Sequence, residues 1–305
     1  MVSFRITLLG KVQIYDHTQT LVSLPLKAQE LLVYLFVHSN QPHDREKLWT
    51  QLWPDIPESR SKKYLRQALW QLQNSLNVTS STQDSIVESD GSWIQLNLNG
   101  HIWIDADHFY QVFVQVCDVP GQMLPAEQAT CIAEAIRLYR GEFVMGWYHD
   151  WCILERERFQ SIYLALLDKQ IDYCLQQQYF DQGTEYAMQM LRYDKARERT
   201  HRRLMRLYYL ADNRTAALRQ FELCMAALAE ELNVQPSKKT LDLYKHIQAD
   251  DGHDLVSLPT TIVNPLSIKQ GPKSASAPLL ELIHANVLAL QQEVKSLKQA
   301  LNVDD

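Results

Sequence analysis

Between Arg60 and Leu76 the chain carries four cations and no acid, and this stretch restricts the fold more than any other. Leu65, Leu69, Leu72 and Leu76 recur at steps of four, three and four residues. At about 100° per residue they share an arc of about 60°, so one side of a helix is committed to a core. The opposite side presents Arg60, Lys63, Gln67, Trp70, Gln71 and Asn74, with Arg66 flanking it. Ser59 or Ser61 is placed to cap the helix. Lys, Arg, Gln and Asn are the side chains that read base edges in the major groove or hold phosphates. A merely solvated face is the competing reading, and the lack of acids argues against it. Trp70 admits two roles: contact with a sugar or a thymine methyl, or packing beneath a neighbouring hairpin.

The flanking segments fit one architecture. Phe4, Ile6 and Leu8 alternate with Arg5 and Thr7, and Val12 and Ile14 continue the pattern, which predicts short half-buried strands. After Pro25 a helix is expected from about Ala28 to Ser39, with Leu31, Leu32, Leu35 and Phe36 inward. A second helix should follow Asp44, its N-cap candidate, and end at Pro54. Beyond the third helix, Ile86–Ser89 and Trp93–Leu96 flank Asp90-Gly91, a β-hairpin signature. Strands, three helices and a hairpin form the order of a winged helix-turn-helix over residues 1–110.

Residues 111–250 read as helical almost throughout. Tyr179–Gly183 with Ala187 aligns on Asn213–Ala217 with Phe221, a period of 34 residues typical of tetratricopeptide-like helix pairs. Arg197–Arg203 holds five cations (His201 counted) and one acid, either an anion site or a set of inter-helix ion pairs around a buried His201. Residues 251–278, with Pro259, Pro265, Gly271, Pro272 and Pro278, form a linker. In residues 279–303, Leu280, Ile283, Val287, Leu290, Val294, Leu297 and Leu301 follow a heptad seam that favours a parallel two-stranded coil, or a helix docked on its own chain.

The net charge of −6 is unusual for a chain that binds DNA, and residues 1–110 themselves hold 9 Lys and Arg against 11 Asp and Glu. Binding depends on local field more than on totals, so this balance argues against strong non-specific binding only. Five dispersed cysteines without a C-x-x-C pair predict buried free thiols and a cytoplasmic setting, with no metal site. The longest apolar run, Leu31 to Val37, is too short to cross a membrane. No G-x-x-x-x-G-K, H-E-x-x-H or G-x-S-x-G motif occurs, which predicts neither an enzyme nor a cofactor.

Leu8-Leu9-Gly10, Leu24-Pro25, Leu31–Leu35, Arg45-Glu46-Lys47-Leu48 and Leu52-Trp53-Pro54-Asp55 resemble the OmpR-type winged helix of the Streptomyces antibiotic regulatory protein (SARP) family. Tyr64–Leu69 through Leu76 resembles its recognition helix, except that Leu72-Gln73-Asn74 stands where the family has Leu-Arg-Arg. Trp151 with Glu155–Arg158, Arg197–Met205, Ala217–Glu222 and Leu228–Ser237 are similar to the bacterial transcriptional activator domain. The resemblance spans roughly residues 4–248. It implies a mainly α protein with a small β component, an activator of transcription that works with RNA polymerase, and contact between protomers. The expected DNA-binding set is Arg45, Arg60, Lys62, Lys63, Arg66, Gln67, Trp70, Gln71 and Asn74, in a nucleoid-associated homodimer on double-stranded DNA. The alternative is a protein-interaction scaffold whose winged helix does not bind DNA.

Overall fold

The computed structural model describes residues 3–39, 41–76, 86–97 and 102–250. Two small sheets and three helices form the N-terminal part. Strand β1 (Phe4–Thr7) pairs antiparallel with β2 (Gln13–Asp16), placing Ile6 opposite Ile14. On its other side β1 runs parallel to β6 (Ile102–Ile104), with Ile6 opposite Ile104. Phe4, Ile6 and Leu8 are buried as their alternation requires.

Helix α1 (Leu26–Val37) starts two residues before Ala28. Pro25 stands at its N-cap, and its carbonyl accepts from the Ala28 and Gln29 amides, so the fixed φ of proline brings the turn forward. Helix α2 (Arg45–Leu52) does follow Asp44, but that side chain makes no cap hydrogen bond and pairs with Lys47 at 3.6 Å instead. Helix α3 (Glu58–Leu76) starts directly after Pro57. Neither serine caps it. Ser61 is buried in the first turn, its hydroxyl donating to the Ile56 carbonyl at 2.9 Å. The four leucines of the stripe are buried, as the periodicity requires. The second sheet joins β3 (His43–Asp44), β5 (Trp93–Leu96) and β4 (Val87–Ser89) in the order β3-β5-β4, and β4 and β5 are the antiparallel hairpin expected around Asp90-Gly91.

From α4 (Asp105–Val116) onward the chain is helical: α5 (Ala126–Leu138), α6 (Asp150–Gln177), α7 (Phe180–Leu191), α8 (Glu198–Leu210), α9 (Arg214–Leu232) and α10 (Lys238–Ala249). Consecutive helices from α4 to α10 pack on one another. The 34-residue period marks where they cross. Gly183 of α7 lies so close to α6 and α8 that a Cβ would meet Leu207 Cδ2 at 2.8 Å and Cys174 Cβ at 3.1 Å. Its counterpart in α9, Ala217, is wholly buried.

One continuous apolar core runs from β1 to α8, so the winged part and the helical part are not separately packed. At their junction the Asp105 carboxylate accepts from the Leu8 amide at 2.7 Å, the Leu9 amide at 3.2 Å and the Ala106 amide at 2.7 Å. Burial pushes this carboxyl up to about 6, against the pull of those N–H groups and of Arg140. Leu9 also bridges Phe143, and the Arg140 amide donates to the Leu9 carbonyl. Glu30 of α1, itself buried, lies 3.3 Å from His149, and Tyr34 meets Trp151 edge-on.

Cys152, Cys174 and Cys224 are buried free thiols, whereas Cys117, in the turn after α4, and Cys131, in α5, are only half-buried. No helix among the described residues is long and apolar enough to cross a membrane. The linker at 251–278 and the heptad seam from Leu280 to Leu301 lie outside the described residues.

Candidate nucleic-acid interface

Helix α3 is held by its leucine stripe, with Ala68 filling the space between, and this rotation decides what faces solvent. Arg60, Lys62, Lys63, Arg66, Gln67, Trp70 and Asn74 are all exposed, and Gln71 is half-exposed. Lys63, Gln67, Trp70 and Asn74 fall one above another, within an arc of about 60° opposite the leucines. Trp70 is 62% exposed, so it belongs to the outward face and does not pack under the hairpin. Lys62 is set apart. Its ammonium lies 2.5 Å from Glu58 and 4.8 Å from the ring centre of Trp49, which ties it to the edge of the face.

The hairpin is fixed beside this helix at two points. Gln73, which departs from the family pattern, faces sideways and donates from Nε2 to the Val87 carbonyl at 3.5 Å. Arg45, the first residue of α2, forks onto the Asp90 carbonyl with Nε at 3.1 Å and Nη2 at 2.7 Å, and its own amide donates to Ser92 at 3.0 Å. Asp90 closes the turn by accepting from the Ser92 and Trp93 amides, bonds that hold its carboxyl below the ordinary value. Arg45 therefore spends two donors on the wing.

Sequence reasoning missed two features of this surface. Tyr64 is 38% exposed beside Arg60, and an aromatic residue outside the leucine stripe was the signal for it. The other is a depression between α2 and the wing, lined by Tyr34, Arg45, Lys47, Trp49, Gln51 and Ser92. No periodicity in the sequence joins those positions.

The arginine cluster of α8 takes the inter-helix alternative. Arg203 is 3% exposed and bonds both Asp168 and Asp172 of α6, the latter at 2.6 Å. Arg197 and Arg199 each reach Asp168 at 3.4 Å. Burial pushes Asp168 up, but Arg203, Arg199 and Arg197 outweigh it and hold the carboxyl below its ordinary value. His201 is buried between Gln220, whose Nε2 donates to Nδ1 at 2.7 Å, and the Lys195 carbonyl, 2.8 Å from Nε2. Glu198 accepts from the amide and hydroxyl of Ser237, both at 2.7 Å, and so ties α8 to the start of α10. This cluster is consumed in holding helices together.

Comparison with known proteins agrees with this architecture. Residues 104–248 match the bacterial transcriptional activator domain family. No curated protein sequence matches the chain. Among solved structures, EmbR of Mycobacterium tuberculosis, in complex with a low-affinity phosphopeptide, has a TM-score of 0.60 at 17% identity, over 84% of this chain and 68% of that one. At that identity the likeness is one of fold. The chain thus sets a winged helix ahead of a segment that matches the bacterial transcriptional activator domain, the order that the SARP resemblance implies.

Proposed function

We propose that the chain binds double-stranded DNA in a sequence-specific manner and activates transcription as a homodimer at the nucleoid. Two α3 helices would then read repeated half-sites. The observation that carries this reading is the exposure, on one side of α3, of an acid-free row of polar and cationic side chains flanked by the wing. Lys63, Gln67 and Gln71 are the base readers, since lysine and glutamine reach guanine and adenine edges. Trp70 and Asn74 extend the same row. Arg60, Lys62 and Arg66 hold phosphates on either side, and Arg45 sets the wing. The helical domain engages RNA polymerase or the second protomer, a role that rests on the family. The heptad positions Leu280, Ile283, Val287, Leu290, Val294, Leu297 and Leu301 assist pairing of protomers.

One observation favours a second reading, the non-DNA-binding scaffold. The wing, residues 86–97, carries Glu88 and Asp90 and no Lys or Arg, so it offers no cation to phosphate. Salt dependence separates the two. Three phosphate contacts per protomer give a log–log slope of affinity against salt of about −3 for each protomer bound. The scaffold reading requires no salt-sensitive DNA affinity at all.

A further inference from the structure

Tyr139, immediately after α5, stacks on Tyr163 of α6 with ring centres 4.2 Å apart and planes 16° from parallel. Tyr193, just beyond α7, meets both rings edge-on, at 6.4 Å and 5.5 Å. These three phenols line a cavity of about 480 Å³ between α5, α6 and α7. Arg137, Arg140 and Arg192 also line it, and Glu185 is the one carboxylate among the lining residues. All three arginines are exposed, and none forms an ion pair with a described residue, unlike the consumed arginines of α8.

The floor holds a poorly met donor. Tyr139 is 7% exposed, and its buried hydroxyl makes no hydrogen bond of good geometry, the Tyr193 hydroxyl being its one weak acceptor. Tyr163, by contrast, donates to Gln189 Oε1 at 3.1 Å. Buried polar groups are seldom left unpaired, because each one forfeits its hydration. An occupant with an acceptor group would satisfy Tyr139, ring faces and edges would take an apolar plane, and the excess of guanidinium groups would take a negative charge.

We propose that this cavity is a binding site for a small aromatic anion, one ring system bearing a phosphate, sulfonate or carboxylate. The ring lies against the tyrosines, an acceptor meets the Tyr139 hydroxyl, and the anionic group sits among Arg137, Arg140 and Arg192. The volume suits such a molecule, since small-molecule sites begin at roughly 300 Å³. Its placement bears on the rest of the chain. The Arg140 amide donates to the Leu9 carbonyl at 3.2 Å and the Gly10 amide to the Glu142 carbonyl at 3.1 Å, so the site adjoins the backbone that joins the helical part to the winged part.

The test is calorimetric titration of the full chain with phenyl phosphate, against inorganic phosphate for the charge alone and phenol for the ring alone. Phenyl phosphate should bind one molecule per chain, at least about tenfold tighter than either half. Arg137→Gln with Arg192→Gln should weaken it by about tenfold or more, through lost charge-assisted bonds. Tyr139→Phe keeps the ring and removes one hydrogen bond, so about fivefold weaker binding is expected. Unchanged circular dichroism shows that each variant is folded. Three outcomes overturn the proposal: no saturable binding of phenyl phosphate, binding no tighter than that of inorganic phosphate, or equal binding by all variants. Loss of DNA affinity in the double arginine variant without phenyl phosphate binding in the parent would assign the arginines to nucleic acid instead.

Discussion

Arg45 at the start of α2 holds the turn of the wing by its backbone, with two guanidinium N–H groups converging on the single carbonyl of Asp90. The placement of the wing beside α3 therefore depends on a side chain from a different helix. Replacing Arg45 by Ala should leave global stability within about 1 kcal/mol, because the contact is exposed. Amide exchange over residues 86–97 should accelerate while exchange in α3 stays the same. Unchanged exchange in the wing would show that the Arg45 amide bond to Ser92 suffices.

Arg203 is the opposite case, a buried cation whose loss strands two carboxylates. Arg203→Met removes the bonds to Asp168 and Asp172 and leaves those acids to Arg197 and Arg199, which are longer and more exposed contacts. Breaking one side of a buried ion pair costs about 3–5 kcal/mol. Urea unfolding of this variant should show that loss, whereas Arg202→Met, at a half-exposed position, should lose much less. Equal losses would contradict the assignment of Arg203 as the centre of the α6–α8 contact.

Gly183→Ala sets helix propensity against space. Alanine gains about 1 kcal/mol in a helix interior. Its Cβ, however, would stand 2.8 Å from Leu207 Cδ2 and 3.1 Å from Cys174 Cβ, both on buried residues. Overpacking of this kind costs about 1–3 kcal/mol, so the net effect should be destabilising. A thermal midpoint at or above that of the parent would mean that α7 can shift outward.

The stability should carry a histidine signature in acid. Burial pushes His38 down to about 4 from its ordinary 6.5, and the neighbouring His43 adds to this. The unfolded chain takes up that proton near 6.5 and the folded chain does not. The contribution of His38 is therefore complete above pH 6.5, declines as pH falls, and is gone below about 4. Asp105 works in the opposite sense over part of this window. Its folded carboxyl, near 6, takes a proton more readily than the unfolded one, so it adds stability as pH falls from about 6. The difference between parent and His38→Gln isolates the first effect: the variant should gain on the parent steadily from pH 7 to pH 4. A constant difference across that range would rule out a buried neutral His38.

What could be read in the sequence was local. The stripe of Leu65, Leu69, Leu72 and Leu76 fixes the rotation of α3, and with it the outward row that includes Lys63 and Gln67, because periodicity alone carries that information. Asp90-Gly91 likewise marks the hairpin through turn chemistry. Helix α1 starts two residues earlier than its apolar pattern predicts because Pro25 brings the turn forward, and neither Ser59 nor Ser61 serves as the cap expected of one of them, the Ser61 hydroxyl turning inward. The joint between the two parts was not legible. It depends on β6 pairing with β1 across almost the whole winged part and on Asp105 reaching back to Leu8 and Leu9. Tyr139, Tyr163 and Tyr193 come from different segments of the helical part, and no spacing rule brings them to one cavity.

The central claim is that the outward face of α3 reads DNA sequence. The most direct measurement is selection of bound sequences from a random double-stranded DNA pool, run with the parent chain and with Lys63→Ala/Gln67→Ala. The account predicts an enriched motif of spaced repeats for the parent, degraded or lost in the double variant, whose fold should persist because both side chains are exposed. Selection of the same motif with the same discrimination by both proteins would contradict it, as would the absence of any enrichment by the parent at low salt.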